Sequence, residues 1–149
     1  MLDHPNLPLP NISIVTLGVE DLALSTRFYE QLGWINTDAS QDSVSFLQGE
    51  AVVLGLYGRS ALADDASIAN DPVGFRGVAL ARNLTSEVEV DEYFAHALSV
   101  GAIAIKEPEK VFWGGYSGYI ADPDGHLWEI AFNPFIEQNT AGQLAVKPK

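Results

Sequence analysis

The sequence predicts an α+β domain of two tandem βαβββ modules whose sheets curl into a partly open mixed β-barrel around a concave cavity. Three observations lead there. The order strand, helix, three strands runs once over residues 11–57 and again over 75–135, with a connection at 58–74 and a tail at 136–149. The two runs share anchors: Phe28-Tyr29 and Tyr93-Phe94 occupy similar places in their helices, and Leu32-Gly33 and Val100-Gly101 mark the helix ends. A βαβββ unit also covers one face of its sheet with its own helix, so the other face needs a second unit or a ligand. With 149 residues, 47% hydrophobic and 19% charged, the chain has the size and composition of one folded domain.

Each element has a local reason. Residues 1–10 hold three prolines and are expected to be an irregular lead-in. Residues 12–19 alternate and are rich in β-branched side chains, which predicts the first strand. Asp21 caps a helix to about Leu32, because Leu22, Ser25, Phe28, Tyr29 and Leu32 recur at spacings of three and four. Gly33 follows where a left-handed cap is wanted. Short strands are expected at 34–39, 43–47 and 51–57, separated by turn-like residues at 40–42 and 48–50. The connection loses the alternation and gains Asp, Asn, Gly and Pro, with a helical turn near 61–66. Residues 75–82 restart the order as a strand. Thr85 or Ser86 caps a helix through about Ser99, which puts Val90, Phe94, Ala97 and Leu98 on one face. Strands at 102–105, 116–121 and 127–132 complete the second module. Asp122-Pro123-Asp124-Gly125 turns the chain between the last two, with proline and glycine supplying the dihedrals of a tight reversal. That role accounts for both aspartates and places His126 at the hairpin mouth. The polar tail is expected to adapt to the surface it lies on.

Eight basic against twenty acidic side chains give a formal charge of −12. Binding a phosphate backbone takes clusters of Lys and Arg, and none occurs, so nucleic acid is not an expected partner. Cationic or neutral small ligands suit this field better. The absence of cysteine excludes a disulfide framework, a thiolate metal site and a cysteine nucleophile. No apolar run reaches the ~18 residues of a membrane helix. The first ten residues lack the basic and apolar regions of a secretory signal. A soluble, cytoplasmic protein that does not engage membranes is the expectation. No Gly-rich phosphate loop is present, and Gly115-Tyr116-Ser117-Gly118 has the wrong spacing for a nucleophile elbow. Arg76 is expected to be exposed or in a weak ion pair.

The strings LGVEDLALSTRFYEQLGW (17–34) and GYSGYIADPDGHLWEIAFNP (115–134), together with the duplicated order, resemble the vicinal oxygen chelate superfamily of glyoxalase I, bleomycin-resistance proteins and extradiol dioxygenases. The resemblance covers about residues 11–135. It implies the glyoxalase/bleomycin-resistance/dioxygenase fold and a homodimer, since many relatives pair their modules across a two-fold axis. In metal-dependent relatives four strand positions supply ligands, usually His, Gln or Glu. Carried over, these fall at Ile14, Gly55, Gly77 and Glu129. The first three carry no donor atom, and one carboxylate does not hold a catalytic divalent ion. His4, His96 and His126 lie in the lead-in, a helix and a turn. No metal and no other cofactor is therefore expected.

Alternation in the last strand independently singles out one acid. Leu127, Glu129, Ala131 and Asn133 point one way, and the larger Trp128, Ile130 and Phe132 point to the helix-covered core. A carboxylate facing a cavity needs a metal, a cation, a donor or a proton. Ile14, Thr16, Gly55, Tyr57, Gly77 and Ala79 are expected to join Glu129 around that cavity, enlarged at the two glycines. Trp113 and Tyr116 supply an aromatic wall or lid, or else plug the barrel mouth. The expected function is binding of a small organic molecule, aromatic or cationic, without the usual divalent metal. The alternative is a divergent lyase, isomerase or dioxygenase-type enzyme of the same superfamily, with Glu129 as acid/base or residual metal ligand.

Overall fold

The computed structural model describes residues 11–71, 74–139, 142–145 and 149; the expected lead-in lies outside them. The first module is β1 (Ile14–Val19), α1 (Leu22–Gln31), β2 (Ile35–Asn36), β3 (Val44–Gln48) and β4 (Val53–Gly58). The connection carries α2 (Arg59–Asp65). The second module is β5 (Leu80–Leu84), α3 (Glu87–Ser99), β6 (Ile103–Lys110), β7 (Tyr116–Ala121) and β8 (Leu127–Phe132). Each module forms a four-stranded mixed sheet, in the order β1-β4-β3-β2 and β5-β8-β7-β6. The first strand runs parallel to the last, and the remaining pairs are antiparallel. The duplicated α+β architecture is the expected one.

The sheets do not close into a barrel: no strand of one pairs with a strand of the other among the described residues. The reason lies in how the modules meet. Leu17, Val19, Phe28, Tyr29, Leu47, Leu54 and Leu56 form one buried cluster, and Val90, Phe94, Ala97, Ile120 and Ile130 form another. Leu32, Ala102 and Trp128 pack against both. The modules are thus joined by side chains on their helix-covered faces rather than by strand edges.

Polar bonds fix that junction. The Tyr29 hydroxyl donates to Asp122 Oδ2 at 2.6 Å and accepts from Trp128 Nε1 at 3.1 Å. Asp122 Oδ1 accepts from the backbone N–H groups of Asp124 and His126. Asp124 reaches back to the first module, accepting from the Glu20 N–H and the Ser25 hydroxyl, both at 2.9 Å. His126 Nε2 meets the Gly18 carbonyl at 2.7 Å. The two aspartates therefore form the turn and also clamp it onto the β1–α1 corner. The two family-like strings are in contact with each other.

The helices follow their sequence signals. Asp21 accepts from the Leu24 N–H, and Ser86 from the Glu89 N–H. Gly33 and Gly101 follow the helix ends at φ +99° and +118°. Three strands, β2, β5 and β6, differ most from expectation, the others by at most two residues at their ends. β2 is two residues long because the Thr37 N–H and hydroxyl and the Ser40 hydroxyl all bond to the Phe46 carbonyl, curling the chain away from the ladder. β5 begins at Leu80 rather than Phe75; residues 74–79 are exposed and Gly77 has φ +75°. β6 continues to Lys110 through Pro108, on the outer edge of its sheet, where a missing N–H is tolerated. Register shifts between Ala104 and Lys106 and between Lys106 and Glu109 break its alternation and hide it from pattern reading.

Candidate functional site

The strand registers place Ile14, Thr16, Gly55, Tyr57 and Glu129 on the sheet faces that the module helices leave uncovered. In the first sheet Thr16 pairs with Gly55 and Gly18 with Tyr57. Phe46 is opposite Gly55, and Val44 is opposite Tyr57. Ile14, Thr16, Phe46, Gly55 and Tyr57 thus share one face, while Val15, Leu17, Leu54 and Leu56 pack into the core. Ile14 is 48% exposed. α2 packs on β1 and β4 and lies over the Gly18 end of this face, where an added Cβ would meet Arg59 Cα at 3.2 Å. Gly55 does not enlarge the space, since the position of its missing Cβ is 3.0 Å from Thr16 Oγ1 and 3.4 Å from Ile14 Cγ2.

In the second sheet Ala81 and Tyr119 flank Glu129. The Tyr119 hydroxyl donates to Glu129 Oε2 at 3.1 Å, and both side chains are half-buried. Desolvation, followed by the charge of Glu129 and this bond, raises the phenol above its ordinary value, so Tyr119 stays a donor at neutral pH. Ser117, on the same face, is buried opposite Ala131.

Tyr119 was not among the expected site residues, and Tyr116 took its place. The signal was present: three residues apart on one strand, the two tyrosines point to opposite faces. Tyr116 turns to α3, where its hydroxyl donates to Asp91 at 2.7 Å. That bond, together with desolvation and the charge of Asp91, pushes its phenol up to about 12. Trp113 folds over its own loop, so that a Cβ on the buried Gly115 would clash with its ring. Phe112 beside it is fully exposed.

Gly77 lies ahead of β5 in open space. Within the repeat, Thr16 and Ala81 each stand five residues before their helix caps, Asp21 and Ser86, and pair with Gly55 and Glu129 respectively. Gly55 is therefore the counterpart of Glu129, and Ala79 rather than Gly77 is the counterpart of Ile14. None of these positions besides Glu129 carries a donor. Among the described residues no three His, Asp or Glu side chains converge as a metal site would require. His126 is engaged at both ring nitrogens, with Gly18 and with Arg76 Nη1 at 3.0 Å. The residues present do not fit the divalent ion of metal-dependent relatives.

The structure does not gather all the expected residues in one enclosed space. Among the described residues, four cavities are lined by none of Ile14, Thr16, Gly55, Tyr57, Tyr119 and Glu129. Both uncovered faces are open, and apolar groups beyond them are exposed, including Ile35, Phe75, Val78, Ile103 and Phe135. No helix among the described residues is long and apolar enough to cross a membrane.

Known proteins share this architecture. The chain is similar to a glyoxalase-related enzyme from Fulvimarina pelagi, at 34% identity and a TM-score of 0.82, covering 94% of this chain and 100% of that one. A glyoxalase/bleomycin resistance protein/dioxygenase from Nocardioides shares the fold, with a TM-score of 0.74 at 21% identity over 97% of this chain and 93% of its own. An uncharacterized protein of Mycobacterium tuberculosis is 36% identical over 68 residues, 46% of this chain. That match spans 39%, or about two-fifths, of the curated relative's length. The model of the Glyoxalase/Bleomycin resistance protein/Dioxygenase superfamily matches residues 11–130. With its duplicated βαβββ fold and Asp-Pro-Asp-Gly clamp, the chain belongs to that superfamily.

Proposed function

We propose that the protein binds a small organic molecule, aromatic or cationic, over the Tyr119–Glu129 face, without a resident divalent metal or other cofactor. The observation that carries this reading is a half-buried carboxylate with one hydroxyl partner among the described residues, on a sheet face that no helix covers. Such a group retains free acceptor capacity for a cationic or hydrogen-bonding ligand. Closure of the site is assigned to a second copy of the chain, whose own uncovered face, with Ile14, Thr16 and Tyr57, supplies the opposite wall. A cytoplasmic setting belongs to the same reading.

The test is calorimetry with benzyltrimethylammonium as probe, alongside metal analysis of protein purified without chelator. Glu129→Gln is expected to weaken binding by about tenfold or more, as loss of a buried charge partner does. Unchanged affinity in Glu129→Gln, or near-stoichiometric Zn, Ni, Mn or Fe, overturns the reading. A second reading, a lyase or isomerase with Glu129 as acid or base, draws on the similar Fulvimarina pelagi protein being described as an enzyme. It requires Glu129→Gln to abolish turnover while substrate still binds.

A further inference from the structure

A separate cavity of about 460 Å³ lies between the modules; Glu129 is not among the residues that line it, although its strand neighbour Ala81 is. We propose that it is a second ligand site, built for a small planar aromatic carboxylate. Its volume falls within the ~300–1,000 Å³ of ordinary small-molecule sites. The walls are apolar and aromatic. Leu54 and Val15 come from the first sheet, and the indoles of Trp34 and Trp128 meet edge to face with centroids 6.3 Å apart.

Gln48 and Gln143 also line the cavity, but Arg82 and Tyr93 define what the ligand presents. Arg82 stands on β5, an edge strand of its sheet, opposite Ile130; it is exposed and lines the rim of the cavity. It makes no hydrogen bond or ion pair among the described residues. Glu89, whose carboxyl feels the charge of Arg82, is already committed to the Thr85 N–H at 2.8 Å and hydroxyl at 2.6 Å. Tyr93 also lines the cavity and, among the described residues, has no hydrogen-bond partner. Burial raises its phenol, which therefore remains a donor. A planar guanidinium fork beside a phenol matches a carboxylate, and neither matches a cation. Glu50, the one acid in the lining, is exposed.

The experiment is NMR titration of the full chain with 1-naphthoate, reading the indole N–H signals, with 1-naphthamide and 1-naphthylmethylammonium as comparators. Naphthoate is expected to shift Trp34 and Trp128 and leave Trp113 in place. Arg82→Gln should weaken binding by about tenfold or more, and Arg82→Lys, which keeps the charge without the fork, by less. Both variants should keep the native spectrum, because Arg82 holds no structural bond. Glu129→Gln should leave naphthoate binding unchanged, which separates this site from the one proposed above. Equal binding of the ammonium, equal binding by Arg82→Gln, or shifts at Trp113 alone overturns the proposal.

Discussion

Asp122 is the residue on which the junction of the two modules depends. It is fully buried and bonded at both oxygens, to the Tyr29 hydroxyl and to the two N–H groups of its own turn. Tyr29→Phe removes the only side-chain donor to Asp122 among the described residues and the acceptor of the Trp128 indole. It is expected to cost about 1–3 kcal/mol, read from urea unfolding at constant m-value. The same tyrosine predicts a pH dependence. Burial first, then the charge of Asp122, raises its phenol well above 10 in the folded state. A proton held more tightly by the folded than by the unfolded chain contributes stability that is complete below the unfolded value and lost as pH rises above it. Thermal melts should show the wild type losing stability above about pH 10 more steeply than Tyr29→Phe does. The turn was legible in Asp122-Pro123-Asp124-Gly125. Its partners were not, because Tyr29 and Ser25 lie about a hundred positions away.

At the scale of elements, helices were read more accurately than strands. Both caps and the buried positions Phe28, Tyr29, Val90, Phe94 and Ala97 follow from spacing alone, because a helix satisfies its backbone within its own segment. A strand depends on its neighbour. β6 is charged, contains Pro108 and is broken by register shifts, yet it pairs with β7 over most of its length. That pairing makes Gly118 obligatory: an added Cβ would stand 2.7 Å from the Lys106 carbonyl oxygen and 2.8 Å from Pro108 N, both of them backbone. Gly118→Ala is expected to force the β6 bulge outward and destabilise the fold by about 1–3 kcal/mol, with hydrogen exchange rising first along β6 and β7. Unchanged exchange there would show that the bulge yields freely.

For the whole molecule, the decisive feature is that each sheet has one face in the shared core and one face open. The sequence identified Glu129 and the apolar residues of the open faces. It also predicted that the two sheets curl into a partly open barrel around a cavity, whereas the sheets do not close into a barrel. In the proposed dimer, sedimentation equilibrium should report twice the 16.1 kDa chain mass. Ile14→Glu, a charge on the open face of the first sheet, should raise the monomer fraction and weaken benzyltrimethylammonium binding together. A monomeric wild type, or a dimer indifferent to Ile14→Glu, would remove the second copy from the site.

By itself the sequence determined the duplicated order, the family, the helix faces, the turn and the orientation of Glu129, since each rests on short-range periodicity or a contiguous string. Only the tertiary structure decided that Tyr119 rather than Tyr116 meets Glu129. It also decided that Thr16 and Ile14 occupy the space beside Gly55, that the aspartate turn clamps α1, and that Arg82, Tyr93 and two tryptophans line one cavity between the modules. These depend on register and on which faces meet, and contacts between residues far apart in the chain fix both.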